Sequence, residues 1–185
     1  MIAQAWEGLI FKTQKNRVEK YLIDNDLQSG KVLDLGCGFG WYSRLFSGDY
    51  TGIDNDPGRL AIARAKYPGK KFLEMSADKL DFPDSSFDLV ISFLVLHHLT
   101  DGQLTKALAE VRRVLKPSGK FLAIDLAVPE KFTIFTEPLM WLDGAERRTH
   151  RQLGDFFQQT GLTIRTEAEN NRVIFCMPFF DILKG

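Results

Sequence analysis

Apolar positions along the chain follow two rhythms, short continuous runs and longer segments in which they return every three or four residues. The runs are Lys31–Leu35, Tyr50–Asp54, Lys70–Glu74, Phe87–Ser92 and Lys120–Leu126. Short apolar runs alternating with helix-period segments predict a parallel sheet covered by helices. The segment ahead of Ser29-Gly30 is helical in pattern, with Val18 and Leu22 four apart, and a further helix is predicted through Tyr42 and Leu45. Asp56-Pro57 opens the next, Asp56 as N-cap and Pro57 at the first helical position; Leu60, Ala61, Ala63 and Ala65 carry it until Pro68-Gly69. Thr100 and Gln103 have capping-box spacing and precede Leu104, Leu108, Val111 and Leu115 on one face, which Lys116–Gly119 ends. Thr149 and Gln152 repeat the device ahead of Leu153, Phe156 and Phe157, with Gly161 as C-terminal stop. Two last runs, Leu162–Glu167 and Arg172–Met177, are joined by a turn at Asn170-Asn171 too short for a parallel crossover, so they are expected to pair antiparallel.

A length of 185 residues suits one domain, and 44% hydrophobic with 26% charged residues is the balance of a globular chain able to bury one sizeable core. Lys plus Arg and Asp plus Glu are equal at 24 each, so net charge offers no pull toward nucleic acid or an anionic membrane. The densest basic cluster, Arg147, Arg148 and Arg151, is expected to be a solvated helix start. Cys37 and Cys176 form no CxxC pair and no disulfide framework, which fits a reducing compartment. The first residues lack a basic segment followed by a long apolar run, and no stretch approaches the ~18 apolar residues of a membrane span, so a cytoplasmic location is expected.

The chemistry concentrates in Asp34-Leu35-Gly36-Cys37-Gly38-Phe39-Gly40, a glycine-rich turn between a strand and a helix. Glycines there permit left-handed backbone and close approach of a ligand, and the helix start beyond offers unpaired N–H groups. Dinucleotide enzymes use such a turn too. Asp54, ending the second strand, adds a carboxylate able to accept from both vicinal hydroxyls of a ribose. No lysine sits in the turn and GxxxxGK[ST] is absent, which argues against a nucleoside triphosphate.

The run Val32–Gly40 resembles motif I of the class I S-adenosylmethionine-dependent methyltransferases, of the type 11, ubiquinone/menaquinone-biosynthesis-like group. Gly52-Ile53-Asp54, Ala77–Val90, Leu96-His97-His98-Leu99 and Val114–Gly119 resemble its later motifs in order. The resemblance implies a three-layer α/β Rossmann-like fold whose seven-stranded, mostly parallel sheet closes with a C-terminal antiparallel hairpin. Residues 1–185 would form one domain: a helical cap (1–30), a cofactor-binding core (31–126), a variable acceptor-side link (127–148), and a last helix with the hairpin (149–185). The implied cofactor is S-adenosyl-L-methionine, with S-adenosyl-L-homocysteine as product. Gly36, Cys37, Gly38 and Gly40 would surround its methionine part, and Asp34 would orient the turn and the donor's amino group. Asp54 would bind the ribose, Asn55 would lie against the adenine, Ala77 and Asp78 would meet the adenine edge, and Phe93 would lie near the methionine segment.

Candidates for acid–base chemistry are few. His97 and His98 follow the fourth strand, on the sheet edge where open α/β folds bind ligands, and each is either a catalytic group facing the acceptor or a turn cap. Asp125, ending the fifth strand, is either within reach of the site or an ordinary strand-end acid. The dispersed histidines and cysteines give no metal-binding spacing. A small-molecule acceptor pocket is expected from the N-terminal segment with Trp6, Phe11 and Tyr21 and from an apolar link containing Phe132, Ile134, Phe135, Leu139, Met140 and Trp141, the link being either a lid over the acceptor or simple packing or a dimer face. A non-catalytic S-adenosylmethionine-binding regulatory module and an NAD-dependent oxidoreductase are the competing readings, and oligomeric state is not indicated.

Overall fold

A computed structural model describes residues 2–127, 146, 148–168, 171–172, 175–176 and 179–184; for 2–10, 13, 165–168, 171–172, 175–176, 179–181 and 184 it describes the backbone alone. Helix α1 (Ile2–Asp24) leads into β1 (Val32–Leu35), β2 (Tyr50–Asp54), α2 (Pro57–Lys66), β3 (Lys71–Glu74), β4 (Phe87–Phe93), α3 (Asp101–Val114) and β5 (Leu115–Ile124). Helix α4 (His150–Gln159), β6 (Leu162–Ala168), β7 (Asn171–Arg172), β8 (Phe175–Cys176) and β9 (Phe179–Lys184) complete the chain. The main sheet has 7 strands in the order β3-β2-β1-β4-β5-β9-β6. Pairings from β3 through β5 are parallel, and β9 runs antiparallel between β5 and β6.

Sequence order reverses at β1, whose neighbours are β2 on one side and β4 on the other. Connections leave these two edges in opposite directions, so a crevice opens beyond the carboxyl ends of the strands, where open α/β sheets bind ligands. The register places Leu35 beside both Ile53 and Ser92, so the three strand ends lie level at its floor.

Alternate side chains of each strand serve two cores. Leu33, Leu35, Val90 and Phe121 pack with Leu104, Leu108 and Val111 of α3 and Leu153 and Phe157 of α4. Val32, Leu89, Ile91 and Leu122 pack with Val18 and Leu22 of α1 and Leu60 and Ala63 of α2. Two-sided burial explains why the central strands are mostly apolar rather than alternating. The starts of α2, α3 and α4 are fixed locally: the Asp56 carboxylate accepts from Gly58 N (2.8 Å) and Arg59 N (3.1 Å), and Thr100 and Thr149 each form a complete capping box.

Three expectations need correction. The segment after the glycine turn is a five-residue 3₁₀ helix, Trp41–Leu45, because the chain has only the short stretch to Tyr50 in which to return to the sheet. Leu115, expected on the helix face, begins β5, although it remains buried. The strand that pairs with β6 is β9, not Arg172–Met177; Asn171–Arg172 pairs instead with Phe175–Cys176 as a separate ribbon. Beyond that ribbon, β9 inserts between β5 and β6 and buries Ile182 in the core.

Candidate functional site

The glycine turn is shaped by what touches it. Gly36 has φ 64°, and a Cβ there would lie 2.4 Å from Cγ2 of Val95. Gly40 has φ 73°, and its Cβ would meet the Phe72 and Tyr67 rings at 2.9 and 3.1 Å. Both positions therefore combine a left-handed backbone with a close approach that a side chain would block. The turn is tied to β2 by Cys37 N donating to Ile53 O (2.8 Å) and by Gly38 N donating to Asp54 Oδ2 (2.9 Å). Cys37 is a buried free thiol, and burial pushes its pKa up, so it packs rather than reacts.

Asp54 is 7% exposed, and its second oxygen accepts from Asp56 N (2.9 Å). Each carboxylate oxygen has two lone pairs, so after one N–H apiece Asp54 keeps acceptor capacity for two further donors. Its carbonyl accepts from Met75 N (3.0 Å), which brings the β3 end and the loop carrying Ala77 and Asp78 alongside. Ala77 and Asp78 are half-buried, with Ser76 Oγ donating to Asp78, while Asn55 is exposed.

Asp34 lies at the end of β1 and is almost wholly buried; the Tyr50 hydroxyl donates to its Oδ2 (2.6 Å). Burial raises its pKa to about 7, the tyrosine hydrogen bond opposes that rise, and the nearby Asp54 charge adds to it. Tyr50 did not emerge from the sequence. The signal lies in the parallel β1–β2 pairing, where Val32 stands opposite Tyr50 and residues two apart share a face, so Tyr50 reaches diagonally to Asp34. Phe93 ends β4, buried beneath the Tyr42 ring at a centroid distance of 4.1 Å; Tyr42 also meets Phe11 of α1 edge-on at 5.0 Å.

Across the crevice stands a second polar cluster. His97 is 3% exposed and its Nδ1 contacts the Asp125 carboxylate, which is itself fully buried. That carboxylate also accepts from Leu96 N (2.6 Å), Leu126 N (2.7 Å) and, more weakly, Val95 N (3.3 Å). Four donors on one buried acid make Asp125 the hub of the turn between β4 and α3 rather than a solvated strand end. His98, in the same 3₁₀ turn Leu96–His98, is exposed, with its ring 4.0 Å from that of His97. The two candidate histidines thus divide: one is locked to a carboxylate, the other faces outward.

The basic cluster at the α4 start also divides. Arg148 is 5% exposed, not solvated. Its guanidinium donates to Asp101 Oδ1 (2.7 and 3.0 Å), Leu99 O (2.7 Å) and Leu96 O (3.2 Å), and it stands over the Phe156 ring at 5.5 Å. A planar fork with five donors can satisfy that set while buried; a lysine cannot. Arg151 is exposed, and Arg147 lies outside the described residues. The expected acceptor-side residues Phe132, Ile134, Phe135, Leu139, Met140 and Trp141 also lie outside them, as does the Trp6 side chain. Among the described residues no three His, Cys, Asp or Glu side chains are grouped to hold a metal, and no helix is long and apolar enough to cross a membrane.

Comparison with known proteins places this arrangement. Residues 33–123 match the family described as Methyltransferase domain. An uncharacterized methyltransferase of Synechocystis sp. is 34% identical over 143 residues, covering 72% of this chain and 67% of the relative. Demethylmenaquinone methyltransferase of Chlorobaculum tepidum is 37% identical over 103 residues, 54% of this chain and 42% of the relative. The chain thus spans two thirds of one relative's length and less than half of the other's. Geranyl diphosphate C-methyltransferase from Streptomyces coelicolor, solved with Mg2+, geranyl diphosphate and S-adenosyl-L-homocysteine, shares the fold with a TM-score of 0.78 at 11% identity, covering 92% of this chain and 81% of that one. With the glycine turn, the β2 carboxylate and the sheet order in place, the chain belongs to the methyltransferase-domain family of class I S-adenosylmethionine-dependent enzymes.

Proposed function

We propose that this methyltransferase moves the methyl group of S-adenosyl-L-methionine by in-line displacement to a small-molecule acceptor, with Asp54 and the glycine turn holding the donor and His97 taking the acceptor's proton. The observation that carries this reading is the placement of two buried carboxylate hubs, Asp54 and Asp125, on opposite sides of the Gly36–Val95 contact.

The donor side fits the cofactor's chemistry. Asp54 retains acceptor capacity for the two ribose hydroxyls. Asn55, Ala77 and Asp78 border the same strand ends and suit the adenine, with Asp78 accepting from its amine. Gly36, Cys37, Gly38 and Gly40 leave room for the methionine portion, and Phe93 flanks it. Asp34, poised near neutrality, favours a cationic amino group nearby. Bound there, the donor supplies a methyl group already activated on a sulfonium. What remains for the protein is alignment and exclusion of water, worth about 7–11 kcal/mol in the best-oriented reactions.

An acceptor that carries a proton also needs a base. With Nδ1 donating to Asp125, His97 keeps its lone pair on Nε2, and the carboxylate stabilises the imidazolium that forms on proton uptake. His98, exposed beside it, is the second residue proposed to contact the acceptor. The 1–30, 31–126, 127–148 and 149–185 segments then serve as cap, donor-binding core, acceptor-side link and closing unit. Demethylmenaquinone and geranyl diphosphate, named for the Chlorobaculum relative and the Streptomyces enzyme, are both small molecules, which supports an acceptor of that class. A cytoplasmic site of action goes with the free Cys37 thiol.

The test is in two parts. Calorimetry with S-adenosyl-L-homocysteine is expected to give saturable binding and NAD none. Incubation with methyl-labelled donor and a small-metabolite extract is expected to label one compound. Donor binding with no labelled product from any extract overturns the catalytic reading in favour of a regulatory module.

A further inference from the structure

Between β4 and α3 the chain makes a turn that is strained where it begins. Leu94 has φ 61°, a left-handed conformation that a leucine side chain disfavours. This geometry sends Val95 over Gly36 of the glycine turn and presents His97 to Asp125. A strained turn keeps its shape only when its surroundings over-determine it. From inside, Leu94 N donates to Ile124 O (2.9 Å) and the Asp125 carboxylate gathers the amides of Val95 and Leu96. From outside, Glu146 N donates to His97 O (2.7 Å), and two residues later Arg148 takes the carbonyls of Leu96 and Leu99. Arg148 is in turn held by Asp101, whose side chain is 74% exposed.

Resting on the reading of His97 as the base, we infer that Arg148 is a positioning residue, clamping the strained Leu94–Leu99 turn so that His97 keeps its orientation beside the methyl donor. The expenditure is hard to explain as packing. Burying a guanidinium is costly unless every donor is used, and an apolar residue would fill the same space against Phe156. What the guanidinium adds is purchase on two carbonyls that bracket the histidines, and an anchor to the first residue of α3. Segments on either side of the turn are thereby held in one geometry by a single planar group.

The test needs no acceptor. In the complex with S-adenosyl-L-homocysteine, the imidazole of His97 is followed by nitrogen-detected NMR across a pH titration, and exchange of the Leu96 amide is timed. Because Asp101 is exposed, Asp101→Asn is expected to leave folding and S-adenosyl-L-homocysteine affinity within about twofold. It should nonetheless speed Leu96 exchange at least threefold and move the His97 titration. Arg148→Gln should do the same more strongly, about tenfold or more in exchange. Adding Leu94→Asn, which tolerates the left-handed backbone, should return part of the lost protection, a rescue that loss of packing would not permit. If His97 titration and Leu96 exchange match the parent in Asp101→Asn and in folded Arg148→Gln, or if Leu94→Asn rescues nothing, the inference fails. The reading of His97 as base falls separately, if replacing His97 leaves methyl transfer unchanged.

Discussion

The two sides of the crevice are built differently. On the donor side, partners are close in sequence: Gly38 and Asp54, and Tyr50 and Asp34, are each separated by 16 residues and come from β1, β2 and the turn after β1. On the His97 side, Asp125 is 28 residues away, and Arg148 reaches Leu96 over 52 and Asp101 over 47. One strand–turn–strand unit makes the first, so its elements sit together as a motif. The second exists only after the fourth and fifth strands are paired and α4 has docked. The donor side should therefore tolerate changes in the rest of the fold, and the His97 side should not.

The largest effect expected to separate the two sides is on rate. His97→Gln should lower methyl transfer to the acceptor by about 10²–10⁴-fold, the usual worth of a general base, while S-adenosyl-L-homocysteine affinity stays within about twofold. Parallel assays of labelled product and calorimetry check this, and equal losses in both would erase the division. Gly36→Ala attacks the seam between the sides. A Cβ in a left-handed residue, pressed against Val95, should cost about 2–4 kcal/mol of stability, read as a lower denaturant midpoint with unchanged slope. Asp54→Ala should weaken S-adenosyl-L-homocysteine by about a hundredfold through lost charge-assisted hydrogen bonds and leave the His97 titration in place.

A further prediction concerns Asp34. Its pKa, near 4 when unfolded, is raised to about 7 in the fold. The native state therefore holds a proton that the unfolded chain has lost across that window, and stability contributed by this group falls as pH rises from about 4 to 7. Asp34→Asn should flatten that slope in chemical denaturation curves. In the parent protein a cationic amino group beside Asp34 favours the ionised form, so donor binding near pH 6.5 should release up to about one proton. Calorimetry in buffers of differing ionisation enthalpy measures this, and an identical heat in all buffers would remove Asp34 from the donor site.

Much of the fold was legible because its signals are short-ranged. Asp56-Pro57, Thr100 with Gln103, and Thr149 with Gln152 cap their helices as read, since a cap needs only three or four consecutive residues. The buried strands β1, β2 and β4 declared themselves as short, mostly apolar runs, with Asp34, Thr51, Asp54 and Ser92 the buried polar positions among them. The strand that pairs with β6 is not legible, because the local pattern of Arg172–Met177 competes with that of Phe179–Lys184, and only insertion beside β5 decides between them. The burial of Arg148 is not legible in the sequence for a related reason: a run of arginines is solvated in most contexts, and its carbonyl partners lie on a turn that local spacing does not bring near.

The linear order of residues determined the class of the molecule, its alternation of strand and helix, and the turn and carboxylate expected to receive the methyl donor, because each is written within a few dozen residues. Tertiary structure alone decided that Tyr50 bonds Asp34, that Asp125 gathers His97 and its neighbouring amides, and that Arg148 is buried against the same turn. Those contacts depend on strand register and on helix docking, which are set by the packing of the whole core and not by any segment of the chain.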